Sequence, residues 1–216
     1  MGLIEALRAT REDDKLELVH RLDKGTSGCL LVAKKRSALR HLQDQLRNHQ
    51  IDKVYLALVA GKWPKGLTVM DAPLEKRTTP SGEKVVYADR DGKSAVTHFK
   101  VIKRLREATL LEVTLETGRT HQIRVHCQLA GYPLLGDDKY GDEQLNRQSR
   151  PLGLKRMFLH AHRLTFVLPA TGAASCETAP PEPRTCQGGA AIGVQLKVGL
   201  TFRLPEGEDC SSNCPN

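Results

Sequence analysis

One carboxylate, Asp23, stands among cations and turn formers in Arg21-Leu22-Asp23-Lys24-Gly25-Thr26-Ser27-Gly28. The apolar run Cys29–Ala33 follows at once. Four to eight apolar residues bounded by turn residues predict a buried strand. Asp23 then lies on a loop held by a rigid scaffold, where a carboxylate can act as a nucleophile. A second group of functional side chains is Arg119, His121, Gln122 and Arg124. A helix is expected over residues 119–130, with Thr120 as its N-cap and Gly131 as its stop. His121, Arg124 and Gln128, three and four apart, then share one face. The third candidate is Tyr55, in a run where Val54, Leu56 and Leu58 alternate with Tyr55, Ala57 and Val59, as in a strand. Spacing alone leaves plainer readings open. These are a screened Arg21–Asp23 ion pair on a surface turn, a solvated polar helix face and an ordinary strand tyrosine. His20 reads as a structural histidine shaping the loop. Other chemistries lack their patterns: His-Glu-x-x-His, a complete phosphate-binding Gly-x-x-x-x-Gly-Lys-[Ser/Thr] and Gly-x-Ser-x-Gly do not occur.

The elements that must position these residues alternate along the chain. Leu39, Leu42 and Leu46 give a helical period over residues 37–48. Strands are expected over 96–101, 111–115 and 158–168, the last with His160 and His162 on one face. Residues 62–96 hold the turn pairs Trp63-Pro64, Ser81-Gly82 and Asp91-Gly92. Strands dominate and helices are inserted between them. The expected class is α+β, with a mixed, largely antiparallel sheet.

A chain of 216 residues is long enough for a single core. It contains no run of about 18 apolar residues, so no membrane span is expected, and its first residues lack the apolar stretch of a secretory signal. The net charge of +8 favours an anionic partner, nucleic acid being the usual one. That charge is uneven. Residues 173–216 carry three basic side chains against five acidic ones, leaving 30 against 20 in residues 1–172. The same boundary separates Cys29 and Cys127 from Cys176, Cys186, Cys210 and Cys214, whose spacing matches no common zinc pattern. No metal is expected. The catalytic body is therefore placed in residues 1–172, with 173–216 as a divergent, largely disordered tail. Val194, Leu196, Val198 and Leu200 alternate there and could form one short strand.

His20-Arg21-Leu22-Asp23-x-x-Thr26-Ser27-Gly28 resembles the signature of the RluA-type pseudouridine synthases. Lys53–Gly61, Thr117–His126 and Gly131–Gly141 also resemble that family, in the same order. The likeness runs from about Gly2 to Gly172. It implies the family's catalytic fold and isomerisation of uridine to pseudouridine in RNA, most closely large-subunit ribosomal RNA. It implies no cofactor, a cytoplasmic setting, and a monomer acting on RNA and not on membranes. Residue by residue, it makes Asp23 the nucleophile, Arg124 its buried cation and Tyr55 the ring that stacks on the flipped base. Arg21 would fill the gap left in the RNA, and His20, Arg119, His121 and Gln122 would belong to the RNA-facing set. The family's opening strands with Lys-Pro-x-Gly, its frequent S4 domain and its closing strand and helix are not matched. The sequence after Gly172 reads like a change of frame, and an incomplete sheet is expected at both ends. Two readings without turnover stand beside the enzyme: a basic RNA-binding remnant, and a ribosome-assembly protein that clamps RNA in the same cleft.

Overall fold

The computed structural model describes residues 3–11, 15–182 and 197–198. Its spine is strand β4 (Asp52–Ala60), which is buried from Val54 to Ala60 on both faces. The predicted alternation is present in the sequence, but no polar side chain interrupts it, because two layers cover this strand. On one face Tyr55, Ala57 and Val59 join Trp63, Phe99, Leu111, Val113, Ile123 and Cys127. On the other, Leu56, Leu58 and Ala60 meet Leu110 and Leu135.

Around that spine the chain lays down helix α1 (Leu3–Arg11), the short strands β1 (Glu17–Leu18), β2 (Ser27–Gly28) and β3 (Val32–Ala33), and helix α2 (Arg36–Arg47). After β4 come β5 (Val69–Asp71), the hairpin β6 (Leu74–Thr78) and β7 (Lys84–Ala88), then β8 (Val96–Arg104) and β9 (Ala108–Leu115). Helices α3 (Gln122–Leu129) and α4 (Glu143–Ser149) precede β10 (Leu159–Val167), β11 (Ala174–Thr178) and the pair β12 (Pro181–Glu182) and β13 (Lys197–Val198). The main sheet runs β11-β10-β4-β9-β8-β5, antiparallel throughout, with β2 added parallel to the first half of β10. The class is α+β with a mixed, largely antiparallel sheet, as the alternating patterns predict. Leu39 and Leu42 of α2 pack on Leu164 and Phe166 of β10. Buried Gln45 of α2 completes the end of that strand: it accepts from Val167 N and donates to Val167 O, both at 2.8 Å.

Three local expectations are corrected. Cys29–Ala33 is not one buried strand. Cys29 N still donates to Ala161 O at 2.8 Å, but Val32 and Ala33 have turned to pair with β1, and only Ala33 is buried. An apolar run that divides its hydrogen bonds between two partners cannot stay regular. The helix expected from residue 119 starts at Gln122. Residues 119–121 form a turn, with His121 in the left-handed region (φ 55°). Thr120 is not the cap. The N-cap position falls on His121, whose side chain makes no capping hydrogen bond, and buried Gln122 braces the preceding turn, its Oε1 accepting from Arg119 N at 2.9 Å. The expected stop is in place, with Gly131 at φ 80°. Finally, Ala174–Thr178, assigned to the tail by sequence, pairs with β10 from Arg163 to Val167. The body thus extends past Gly172. Residues 183–196 and 199–216, the rest of the tail expectation, lie outside the described residues.

Candidate active site

The loop bearing Asp23 is closed by backbone geometry. Val19 N donates to Leu31 O at 3.1 Å, and Leu31 N donates to His20 Nε2 at 3.1 Å. Thr26 N donates to Asp23 O at 2.9 Å, forming the turn that presents the carboxylate. Gly28, at φ 108°, lets the loop lie against β10: a Cβ there would sit 2.1 Å from Ala161 O. Arg156 secures the outer side, reaching Gly25 O at 3.1 Å and Ser27 Oγ at 3.2 Å. Ser27 Oγ in turn meets His160 Nδ1 at 3.0 Å.

Across from this loop stands the start of α3. Arg124 Nη1 is 3.9 Å from Asp23 Oδ2, and His121 Nε2 is 4.0 Å from Asp23 Oδ1. Each oxygen of the carboxylate therefore faces its own nitrogen. Arg124 is itself held by a second carboxylate. Its Nε and Nη2 donate to Asp137 Oδ2 and Oδ1 at 2.7 and 2.8 Å, in the two-pronged geometry that suits guanidinium and carboxylate. The Asp137 side chain is fully enclosed, whereas that of Asp23 is 19% exposed. Asp137 also accepts from Lys139 N at 2.9 Å and Tyr140 N at 3.1 Å. Burial works to raise its carboxyl pKa, and the Arg124 and backbone hydrogen bonds outweigh burial, so the net direction is down. Burial likewise works against the Arg124 charge, but Asp137 and Asp23 together push its pKa up. One carboxylate is thus consumed in orienting the cation, and the other stays reachable from the cleft.

Two tyrosines complete the group. Tyr55 stands on β4 in the core layer beneath Asp23, with Leu22 packed against the same cluster. Burial, and then the charge of Asp23, push its hydroxyl up to about 12, so the phenol keeps its proton at neutral pH. Tyr140 comes from the loop after Asp137. Its ring lies 4.8 Å from the Arg124 guanidinium carbon, and its hydroxyl accepts from Val86 N at 2.9 Å and meets His121 Nδ1 at 2.8 Å. Val86 reaches it because the inner face of the β6–β7 hairpin, Leu74 and Val86, packs with Val125 and Tyr140. Buried Asn146 of α4 fastens the loop behind: Gly136 N donates to its Oδ1 at 2.7 Å, and its Nδ2 donates to Asp137 O at 2.9 Å.

Of the residues predicted from sequence, Asp23, Arg124, His121 and Tyr55 come together. Arg21 is exposed on the same loop, two residues from Asp23. Arg119 is exposed as well, with Nε donating to Ser94 O at 2.9 Å. Gln122 departs from the RNA-facing set. It is 3% exposed; its Oε1 holds Thr117 Oγ1 and Arg119 N, and its Nε2 holds Val96 O and Thr97 Oγ1. An amide with all these groups satisfied in the interior supports the turn and has none left for a ligand. Asp137 and Tyr140 were not singled out from sequence. A usable signal existed, since Asp137 follows Leu134-Leu135-Gly136, and an acid attached to an apolar run needs a buried cation.

A family model described as RNA pseudouridylate synthase matches residues 3–129. The ribosomal large subunit pseudouridine synthase C of Pasteurella multocida is 52% identical over 183 residues, covering 84% of this chain and 56% of that protein. The protein of the same name from Escherichia coli K12 is 53% identical over 174 residues, covering 79% of this chain and 54% of its own. The chain therefore spans about half the length of these curated relatives. Among solved structures, human RNA pseudouridylate synthase domain containing 1 superposes with a TM-score of 0.70 at 27% identity, covering 82% of this chain and 73% of that one. Human RNA pseudouridylate synthase domain containing 4 gives 0.61 at 28% identity, covering 82% and 75%.

Proposed function

This chain belongs to the RNA pseudouridylate synthase family, and on that premise we propose that it isomerises uridine to pseudouridine in RNA, large-subunit ribosomal RNA being the substrate class. The carrying observation is the setting of Asp23: a reachable carboxylate with Arg124 and His121 each facing one of its oxygens, and with the competing carboxylate locked away. The target uridine must leave its stack at a cost of a few kcal/mol. Stacking on the Tyr55 ring would return about 1–3 kcal/mol of that, and Arg21, exposed on the same loop, would occupy the gap in the RNA. Asp23 attacks ribose C1′, forming an ester bond there as the bond from C1′ to uracil N1 breaks and uracil leaves as the anion. The uracil anion turns, C5 forms the new bond to C1′, the carboxylate is released, C5 loses its proton and N1 gains one. Nothing is oxidised or reduced and no water is consumed, so the balance closes without a cofactor. Because Tyr55 stays protonated at neutral pH, it serves as a relay for the C5 proton and not as a free base. On this reading the protein works where ribosomes are assembled, as a monomer on RNA.

RNA clamping without turnover is separable from this. Transcripts of large-subunit ribosomal RNA carrying tritium at uridine C5 should release tritium with the parent protein. Asp23→Asn should abolish release while RNA binding stays within about threefold, since the shape is kept and only the nucleophile is lost. Binding without release by the parent, or release by Asp23→Asn near the parent rate, would overturn the assignment.

A further inference from the structure

Tyr140 and His121 carry an inference that rests on Asp23 being the nucleophile. Val86 N is a backbone donor, so at 2.9 Å the Tyr140 oxygen must be its acceptor. The hydroxyl proton is then free for His121 Nδ1, 2.8 Å away. If Nδ1 accepts, the single proton of a neutral imidazole sits on Nε2, the nitrogen 4.0 Å from Asp23 Oδ1. The opposite tautomer would crowd three protons on the Tyr140 oxygen and aim the Nε2 lone pair at a carboxylate. Burial, and then the charges of Arg124 and Lys139, outweigh those of Asp23 and Asp137, so His121 is held toward the neutral form. The histidine also sits at φ 55°, a backbone state uncommon outside glycine, which aims its ring across the cleft at the head of α3.

We propose that Tyr140 is a positioning residue that fixes His121 as the Nε2–H tautomer, making His121 a neutral donor to Asp23 Oδ1 opposite the charged donor Arg124. The nucleophile is thereby oriented from both sides, one oxygen by a cation and one by a neutral N–H. At 4.0 Å the Nε2 contact is looser than a hydrogen bond, as is common before substrate closes a site.

Long-range proton–nitrogen correlation spectra of the full chain read the tautomer directly. The parent should show His121 protonated at Nε2, and Tyr140→Phe should mix the two tautomers. In the tritium assay Tyr140→Phe should lower kcat about tenfold, equivalent to about 1.4 kcal/mol, with KM for RNA nearly unchanged. His121→Gln keeps an amide N–H at the Nε2 position and should lose only about threefold, whereas His121→Leu should lose at least as much as Tyr140→Phe. Adding Tyr140→Phe to His121→Gln should cost less than about twofold, because no tautomer remains to be chosen. An equal cost of Tyr140→Phe in both backgrounds would make Tyr140 a mere support for Val86 and overturn the proposal. So would an Nδ1–H tautomer in the parent. The spectrum needs no substrate, so an inactive parent would refute the isomerase reading and still leave this one decided.

Discussion

Asp23 and Asp137 flank the same guanidinium, and their surroundings give them different work. Asp137 is enclosed and accepts four hydrogen bonds, while the Asp23 carboxylate stands 3.9 Å from Arg124 Nη1 and 4.0 Å from His121 Nε2. Breaking a buried pair costs far more than the pair is worth, because the surviving charge is left in the interior. Asp137→Asn should therefore lower stability by about 3–5 kcal/mol in urea unfolding. A loss below about 1 kcal/mol would mean that Arg124 finds another acceptor. At this scale the sequence was legible for Asp23, which stands out among cations, and for His121 and Arg124 as a pair, although His121 lies in the left-handed turn before the helix and exposed Gln128 does not share their face. It was misleading for Gln122, whose type gives no hint of whether it faces solvent or the interior. It was silent on Tyr140, because the backbone donor that orients its hydroxyl comes from Val86, more than fifty residues earlier in the chain.

The elements depend on contacts that sequence periodicity does not report. The Asp23 loop holds its shape through His20, whose Nε2 accepts from Leu31 N. Protonation would remove that acceptor. Burial, and then the charge of Lys53, push the His20 pKa from 6.5 down to about 4. Below pH 6.5 the unfolded chain gains a proton that the folded chain refuses. Stability should therefore fall as pH drops from 6.5 to about 4, by on the order of 3 kcal/mol from this residue. His121 and His126 are shifted in the same direction and add to the slope. His20→Gln keeps an acceptor without the titration, so urea midpoints at pH 7.5 and 4.5 should differ less than in the parent. An unchanged difference would remove His20 from the account. Long elements with a clear period, α2, β4, β8 and β10, fell where the pattern placed them. Cys29–Ala33 did not, because a strand's hydrogen bonds go to whichever edges are near, here β10 and then β1. The start of α3 falls at Gln122 because His121 is in the left-handed region and buried Gln122 ties the preceding turn through Thr117 Oγ1 and Arg119 N.

For the whole molecule, charge and sheet closure meet at the end of the described body. Residues beyond Gly172 carry little positive charge, yet they close the sheet at the site's back. β11 covers β10, and Ala179 O is the partner of both His160 Nε2 at 2.9 Å and His162 Nδ1 at 3.0 Å. Composition separated this segment from the body, whereas pairing joins its first part to it. Composition reports the solvent face, and a five-residue edge strand needs only backbone to pair. Part of the basic surface lies by the Asp23 loop and the start of α3, where Arg21, Lys24 and Arg119 are exposed. Each phosphate neutralised should contribute about −0.7 to −0.9 to the slope of log affinity against log salt. Binding of a large-subunit ribosomal RNA fragment should give a slope of about −3 or steeper, as four or more phosphate contacts require. Asp23→Asn should leave that slope intact, since its carboxylate faces Arg124 and His121. Lys24→Ala, one residue further along the loop, should flatten it by about one contact. Affinity that does not change with salt, or a Lys24→Ala slope equal to the parent's, would show that RNA docks on some other face and that the basic loop around Asp23 serves only the chemistry.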